Sequence, residues 1–420
     1  DFSGVTSVVI EWDQYFRYCC YPLAPFFLEV SSDGGATWTS FEAKGEFLES
    51  TNTASANPLH TTVDIGCAAA GASAVDIRFA WRQHPDYGNG YSHYYWGLDD
   101  IVIRENPLSI GMEIAHVFTG DVVNDFAYSI VPLSQAVSTG DGGLLAQVHH
   151  RNTGNIDLPG AVIDIDILDS IGQVVYSTQT APFVSVAQAN GATCPSEDIA
   201  VLDIPTGWVP DEVGEYTVRA TLTAPEYPNA VPVEQSIRFT ECRFGHDDAA
   251  ALDEVMTPIV HDDVPDLFDP TGYGSRFTFE EAGQHVYGIE VAFGPELGHE
   301  LQFEIRWIEQ DPTTSLTDSP HEFAEFVTDS AWGSSPEAPE FTALYFEQPI
   351  SVNASSFYAA AVITEFEWEE SLEVLANADS DFDESTIVYL QSGSGEFVWF
   401  AGQSSTPAIR LITCVPEPIE

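Results

Sequence analysis

Lysine is nearly absent. Lys44 is the only one, the other basic residues are eleven scattered arginines, and 66 Asp and Glu among 420 residues leave a formal net charge of −54. Phosphate contacts need clustered Lys and Arg, so this composition argues against nucleic-acid binding and against docking on anionic membrane surfaces. Long apolar runs are missing too, and without about 18 consecutive apolar residues no segment reads as a membrane-spanning helix. The start, Asp1-Phe2-Ser3-Gly4, lacks the basic region and apolar core of a signal peptide and reads as a processed or excised soluble chain. The six cysteines include no C-x-x-C pair, which removes zinc-ribbon and dithiol redox chemistry. No helical hydrophobic period is found at any length.

What is present is core-forming material. Twenty-six Phe, 16 Tyr and 9 Trp, with 44% hydrophobic residues, far exceed what a disordered acidic tail carries, so the acid belongs on the surface of folded domains. Like-charge repulsion opposes compaction unless counterions screen it, and the screening length falls from about 10 Å at 0.1 M salt to about 3 Å at 1 M. Two settings fit: a salt-adapted (halophilic) protein, with Lys depleted and Arg kept, or an acidic secreted one. The even cysteine count points to disulfides formed in an oxidising compartment. Cys194 with Cys242 and Cys20 with Cys67 are the expected pairs; Cys19 is an alternative partner for Cys67, and the leftover cysteine reaches Cys414 or another chain.

Period-2 alternation dominates. Ile77, Phe79 and Trp81 alternate with Arg78 and Ala80; Ile163, Ile165 and Ile167 with Asp164 and Asp166; Leu301, Phe303, Ile305 and Trp307 with Gln302, Glu304 and Arg306. Turn signals such as Asp33-Gly34-Gly35 and Asp141-Gly142-Gly143 separate these half-buried strands. The predicted fold class is all-β, with three β-sandwich domains of jelly-roll or Ig-like type in series. Polar stops at Arg104-Glu105-Asn106-Pro107 and in the acidic stretch after Gly245 divide the chain into units 1–107, 108–245 and 246–414, with a tail at 415–420.

Three segments of the first unit, Val30-Ser31-Ser32-Asp33-Gly34-Gly35-Ala36-Thr37-Trp38, Val75-Asp76-Ile77-Arg78-Phe79 and Tyr95-Trp96-Gly97-Leu98-Asp99-Asp100-Ile101-Val102-Ile103, resemble jelly-roll modules of MAM and concanavalin-like type. Such modules are common in secreted multidomain proteins of Bacteroidota. The phrase from Ser31 to Trp38 also fits an Asp-box hairpin, but a single copy argues against a propeller. Modules of this kind usually begin with further strands upstream of the segment that Asp1–Val5 resembles. Two expectations follow: the chain is cut inside the domain, or an open sheet edge accepts strands from elsewhere, including a neighbouring molecule. The second unit resembles the Ig-like CARDB module through Val148-His149-His150-Arg151-Asn152-Thr153-Gly154-Asn155, Val162–Ile167, Gly172–Val175 and Gly214–Ala220. That resemblance implies a spacer or adhesion role. Asp169-Ser170-Ile171 and Asp329-Ser330-Ala331 resemble the short O-glycosylation sequence of Bacteroidota.

Catalytic motifs fail on inspection. His299-Glu300 has Phe303 where a zinc protease needs its second histidine, His321-Glu322 has Glu325 there, and Ser394 has Ser392 where a nucleophile elbow needs glycine. Carboxylate pairs arise by chance among 66 acids and carry no information about glycoside hydrolysis. Calcium is the better-supported ligand, because loop carboxylates supply the oxygens it takes. Asp99 and Asp100 match a position where jelly rolls of this type hold a structural calcium, and Asn377, Asp379, Asp381 and Asp383 space their oxygens at every second residue. Tyr87, Tyr91, Tyr94 and Trp96 surround a Gly-rich loop and are candidate stacking platforms for a glycan, although alternation buries about half of such rings. The sequence therefore predicts a non-catalytic extracellular adhesion or structural surface component, filament-forming through contacts with other copies or neighbouring surface proteins. The alternative is a carbohydrate-binding accessory region of a larger secreted hydrolase.

Overall fold

The computed structural model describes residues 1–17, 26–43, 54–81, 95–121, 126–136, 143–186, 199–228, 230–247, 252–256, 271–279, 283–298, 300–309, 322–354, 356–364, 372–377, 385–391, 397–401 and 405–415. The fold is all-β, as the alternation predicts: apart from the four-residue helix Gly66–Ala69 and short 3-10 turns, the described elements are strands. None of the described helices is long and apolar enough to cross a membrane.

Among the described residues, two three-stranded antiparallel sheets build the first unit. One has the order Leu59–Asp64, Val8–Arg17, Tyr95–Glu105, and the other Thr39–Glu42, Phe26–Ser31, Asp76–Trp81. Alternation along Val8–Arg17 buries Ile10, Trp12, Gln14 and Phe16, and the three apolar ones join Phe26 and Leu28 in a cluster of their own. Each such side chain contributes about 1.5–3 kcal/mol by leaving water. Gln14 is the polar exception and is fully used: its amide donates to Ala43 O and Thr61 Oγ1, both at 2.6 Å, and its Oε1 accepts from Trp96 Nε1 at 2.8 Å. The Asp33 turn forms as expected, with Gly34 and Gly35 at positive φ and Asp33 accepting from Thr37 N and Thr37 Oγ1. Those bonds hold the Asp33 carboxyl below the usual carboxylate range. Trp38 stops short of the core and lies half-buried under the Arg78 guanidinium, 3.8 Å from its ring centroid.

The second and third units share one ten-stranded sheet. Its path runs Val174–Gln179, Leu158–Asp169, Gly214–Thr223, Val233–Thr240, Ile130–Pro132, Arg243–Gly245, Ile409–Ile412, His285–Val291, Thr342–Ser351, with Phe183–Ser185 paired off the path to Leu158–Asp169. Ile163, Ile165 and Ile167 point inward from this sheet and are fully buried. A single hydrophobic cluster includes them, Ala146 and Val148 of the four-stranded sheet, and Phe303, Ile305 and Trp307 of the six-stranded sheet. The expected boundary at 245 falls inside the ladder, where Gly245 pairs with Ile130 on one side and Arg410 on the other.

The junction is also fixed by side chains. Asp247, fully buried, pairs with Arg410 at 2.6 Å (Oδ2–Nη2), while Arg410 lies over the Phe341 ring. Gly245 makes room for that pair, since a Cβ there would stand 2.9 Å from Arg410 Cγ and 3.1 Å from Asp247 Oδ1. His246 is held between Ala127 O (2.5 Å from Nδ1) and Arg276 O (2.7 Å from Nε2), stacked on Tyr128. The expected Cys194–Cys242 bridge is corrected: Cys242 bonds Cys414. Arg243 pairs with Ile412, so the residues flanking these two strands meet at one end of the ladder. Cys67 is disulfide-bonded as expected, whereas Cys20 and Cys194 lie outside the described residues.

Candidate functional site

The free flank of the first sandwich stands out physically. Among the described residues Tyr95–Glu105 is an edge strand, with Val8–Arg17 as its neighbour in the sheet path. Its first half faces the core: Trp96 lies opposite Phe16 and Leu98 opposite Gln14, and both pack on the buried cluster. Its second half does not. Ile103 lies opposite the buried Ile10 and Ile101 shares its parity, yet they are 44% and 49% exposed, and Val102 on the other face is 49% exposed. Three consecutive β-branched residues exposed on both faces of an edge strand are an unsatisfied surface for apolar contact and for backbone pairing.

A bulge separates the two halves. The register shifts between Glu11 and Asp13, and Asp100, opposite the shift, has φ 50°. Asp99 Oδ1 accepts from Asp100 N at 2.9 Å, a turn-like contact that stabilises the left-handed residue. Both aspartates are exposed. Among the described residues no three His, Cys, Asp or Glu side chains gather into a metal-binding group, so Asp99 and Asp100 acquire no third ligand there. Asn377 ends a strand opposite Thr406 and is half-buried; Asp379, Asp381 and Asp383 lie outside the described residues. Arg104, beyond the bulge, pairs with Glu11 across the ladder at 2.5 Å, which lowers the Glu11 carboxyl and raises the guanidinium.

No family model and no curated protein matches the chain. Solved structures to which it is similar include the native α-L-rhamnosidase from Aspergillus terreus, at 12% identity over 71% of this chain and 30% of that one, TM-score 0.19. Another holds the cysteine protease and lectin-like domains of Cwp84, a surface layer associated protein of Clostridium difficile, at 8% identity over 62% of this chain and 59% of that one, TM-score 0.23. A Cwp84 variant after propeptide cleavage matches at 8% identity over 61% and 66%, TM-score 0.25. The chain thus spans less than two thirds of the first two, and similarity at this level carries no argument about fold or activity.

Of the glycan candidates, Trp96 alone falls within the described residues; Tyr87, Tyr91 and Tyr94 lie outside them. The Trp96 ring is 4.7 Å from Phe26 and 5.7 Å from Phe79 between centroids, and its Nε1–H is spent on Gln14. Those contacts place it in the sandwich interior and leave it half-buried. Sequence reasoning singles out Trp96, Asp99 and Asp100 on this strand and gives Ile101, Val102 and Ile103 no role of their own. Their signal was three β-branched residues in a row where a half-buried strand alternates with polar ones.

Proposed function

We propose that the chain is a non-catalytic extracellular structural protein of a cell surface or appendage, and that it pairs with a second copy through the free edge of its first sandwich. The observation that carries this reading is the half-exposed Ile101-Val102-Ile103 edge. Antiparallel pairing of this strand with its own copy, centred on Val102, sets Ile101 against Ile103 on the inward face and Val102 against itself. The same register opposes Asp99 to Glu105 at both ends, a like-charge contact that salt or calcium relieves. The bulge and these acids restrict the edge to few partners, as natural edge strands do. An extracellular setting is supported by the Cys242–Cys414 disulfide.

Molar mass by light scattering after gel filtration, at high salt with calcium, tests the reading. The expected mass is twice the 45.8 kDa of one chain, falling toward one chain's mass at low salt with chelator. A monomer at every concentration and salt sinks the reading and makes a glycan-binding screen the next experiment.

A further inference from the structure

A cleft of about 670 Å³ opens over the ten-stranded sheet, where the hairpin turn 169–172, the strands Gly214–Thr223 and Val233–Thr240 and the Asp247–Arg410 pair meet. Its size is that of a small-molecule site. One charge in its lining stands apart from most arginines among the described residues. Seven described arginines, from Arg78 to Arg410, each close on a carboxylate. Arg238 does not: it is exposed, lines the cleft and makes no ion pair or side-chain hydrogen bond with a described residue. Its natural partner is at hand, because Glu215 lies directly opposite it in the ladder and lines the same cleft, yet the two side chains stay beyond 4.0 Å of each other. With 66 acids and 12 bases in the chain, an arginine left open beside a carboxylate is the exception that needs a reason.

The other charged groups of the lining have partners of their own, Glu234 standing 3.9 Å from Arg219. Arg238 N donates to Ser129 O at 2.8 Å, which fixes the strand carrying the guanidinium. Arg410 at the floor is neutralised by Asp247 and does not compete for an anion. Asp169 commits its Oδ1 to Ile171 N and Gln173 N of the hairpin. Ser170, Thr217 and Ser236 are among the uncharged residues of the lining.

We propose that this cleft binds the head group of a small zwitterion of the α-amino-acid class, its carboxylate on the Arg238 guanidinium and its ammonium on Glu215. A guanidinium meets a carboxylate through paired, charge-assisted N–H···O bonds. A purely anionic ligand would meet the repulsion of a −54 chain, and a purely cationic one would have no use for Arg238. A ligand with both charges and no net charge escapes both objections and fills the gap between two opposite charges that do not close on each other.

Titration calorimetry of the full chain with L-alanine, acetate, methylammonium and galacturonate tests this. L-alanine is expected to bind, and acetate, methylammonium and galacturonate at least about tenfold more weakly, the loss that one missing charge-assisted contact produces. Arg238→Gln and Glu215→Gln are each expected to weaken L-alanine about tenfold while melting like the wild type, and Arg151→Gln, outside the cleft, to leave binding unchanged. Acetate or galacturonate binding as tightly as L-alanine, L-alanine binding that ignores both cleft substitutions, or no L-alanine binding at all would overturn the assignment.

Discussion

The first sandwich and the ten-stranded region solve the same problem in opposite ways. Both contain alternating strands that must bury one face, but the first unit has two sheets of three strands, its own small cluster, and an edge that exposes Ile101, Val102 and Ile103. The second and third units merge their sheets, share one cluster, and lock the seam with a buried ion pair and a disulfide. A sheet that continues through a neighbouring unit has fewer edges to protect. Stability is therefore concentrated at the seam, and the association proposed above at the flank.

The largest expected effect lies at the seam. Asp247→Asn leaves Arg410 charged, buried and without its carboxylate, which costs about 3–5 kcal/mol. Denaturant unfolding should show the loss in the transition of the ten-stranded region. The corresponding change in the first unit, Glu11→Gln, frees an Arg104 that already reaches solvent, and its effect should be far smaller. Equal effects would show that the two ion pairs do the same job and would break the contrast.

Removing the Cys242–Cys414 bridge comes next. It closes a separation of 172 residues, and a loop of that size contributes about 5 kcal/mol by restricting the unfolded chain. The paired Cys242→Ser, Cys414→Ser variant should lower the calorimetric melting temperature of the ten-stranded region and leave the first sandwich in place. A shift of both together would mean that all three units unfold as one.

The seam should also respond to acid. Burial pushes the His246 imidazole down to about 4, against the pull of the two backbone carbonyls and with the nearby Arg276 charge adding to the depression. Between its ordinary value near 6.5 and about 4, the unfolded chain binds a proton that the folded chain refuses. Stability from this residue is thus present above that window and lost as pH falls through it, amounting to about 3 kcal/mol. Comparing the pH slopes of wild type and His246→Gln isolates this contribution from the many carboxylates; identical slopes would remove His246 from the account.

Much of this contrast was legible in the sequence and its decisive part was not. Alternation at Ile163, Ile165 and Ile167 or at Phe303, Ile305 and Trp307 reads directly as strands, because the side-chain period is a local property. The Asp33 turn is local for the same reason. The pairing of Arg243–Gly245 with Ile409–Ile412 is not, since its partner arrives more than 160 residues later and nothing in either segment names the other. The mistaken Cys194–Cys242 bridge follows from that: nearness in sequence stood in for nearness in the sheet.

The smallest expected change in stability tests the free flank. Val102 is half-exposed on an edge, so Val102→Lys should alter the unfolding free energy by less than about 0.5 kcal/mol. Its effect on association should be complete, because a residue on the twofold axis meets itself and the substitution sets two ammonium groups face to face. Val102→Thr keeps the branched shape without the charge and should keep the dimer. A Val102→Lys protein that still doubles its mass in light scattering would move the contact away from this strand. Loss of the dimer in Lys and retention in Thr, at unchanged melting temperature, would separate pairing from folding, which is what a flank left outside the core allows.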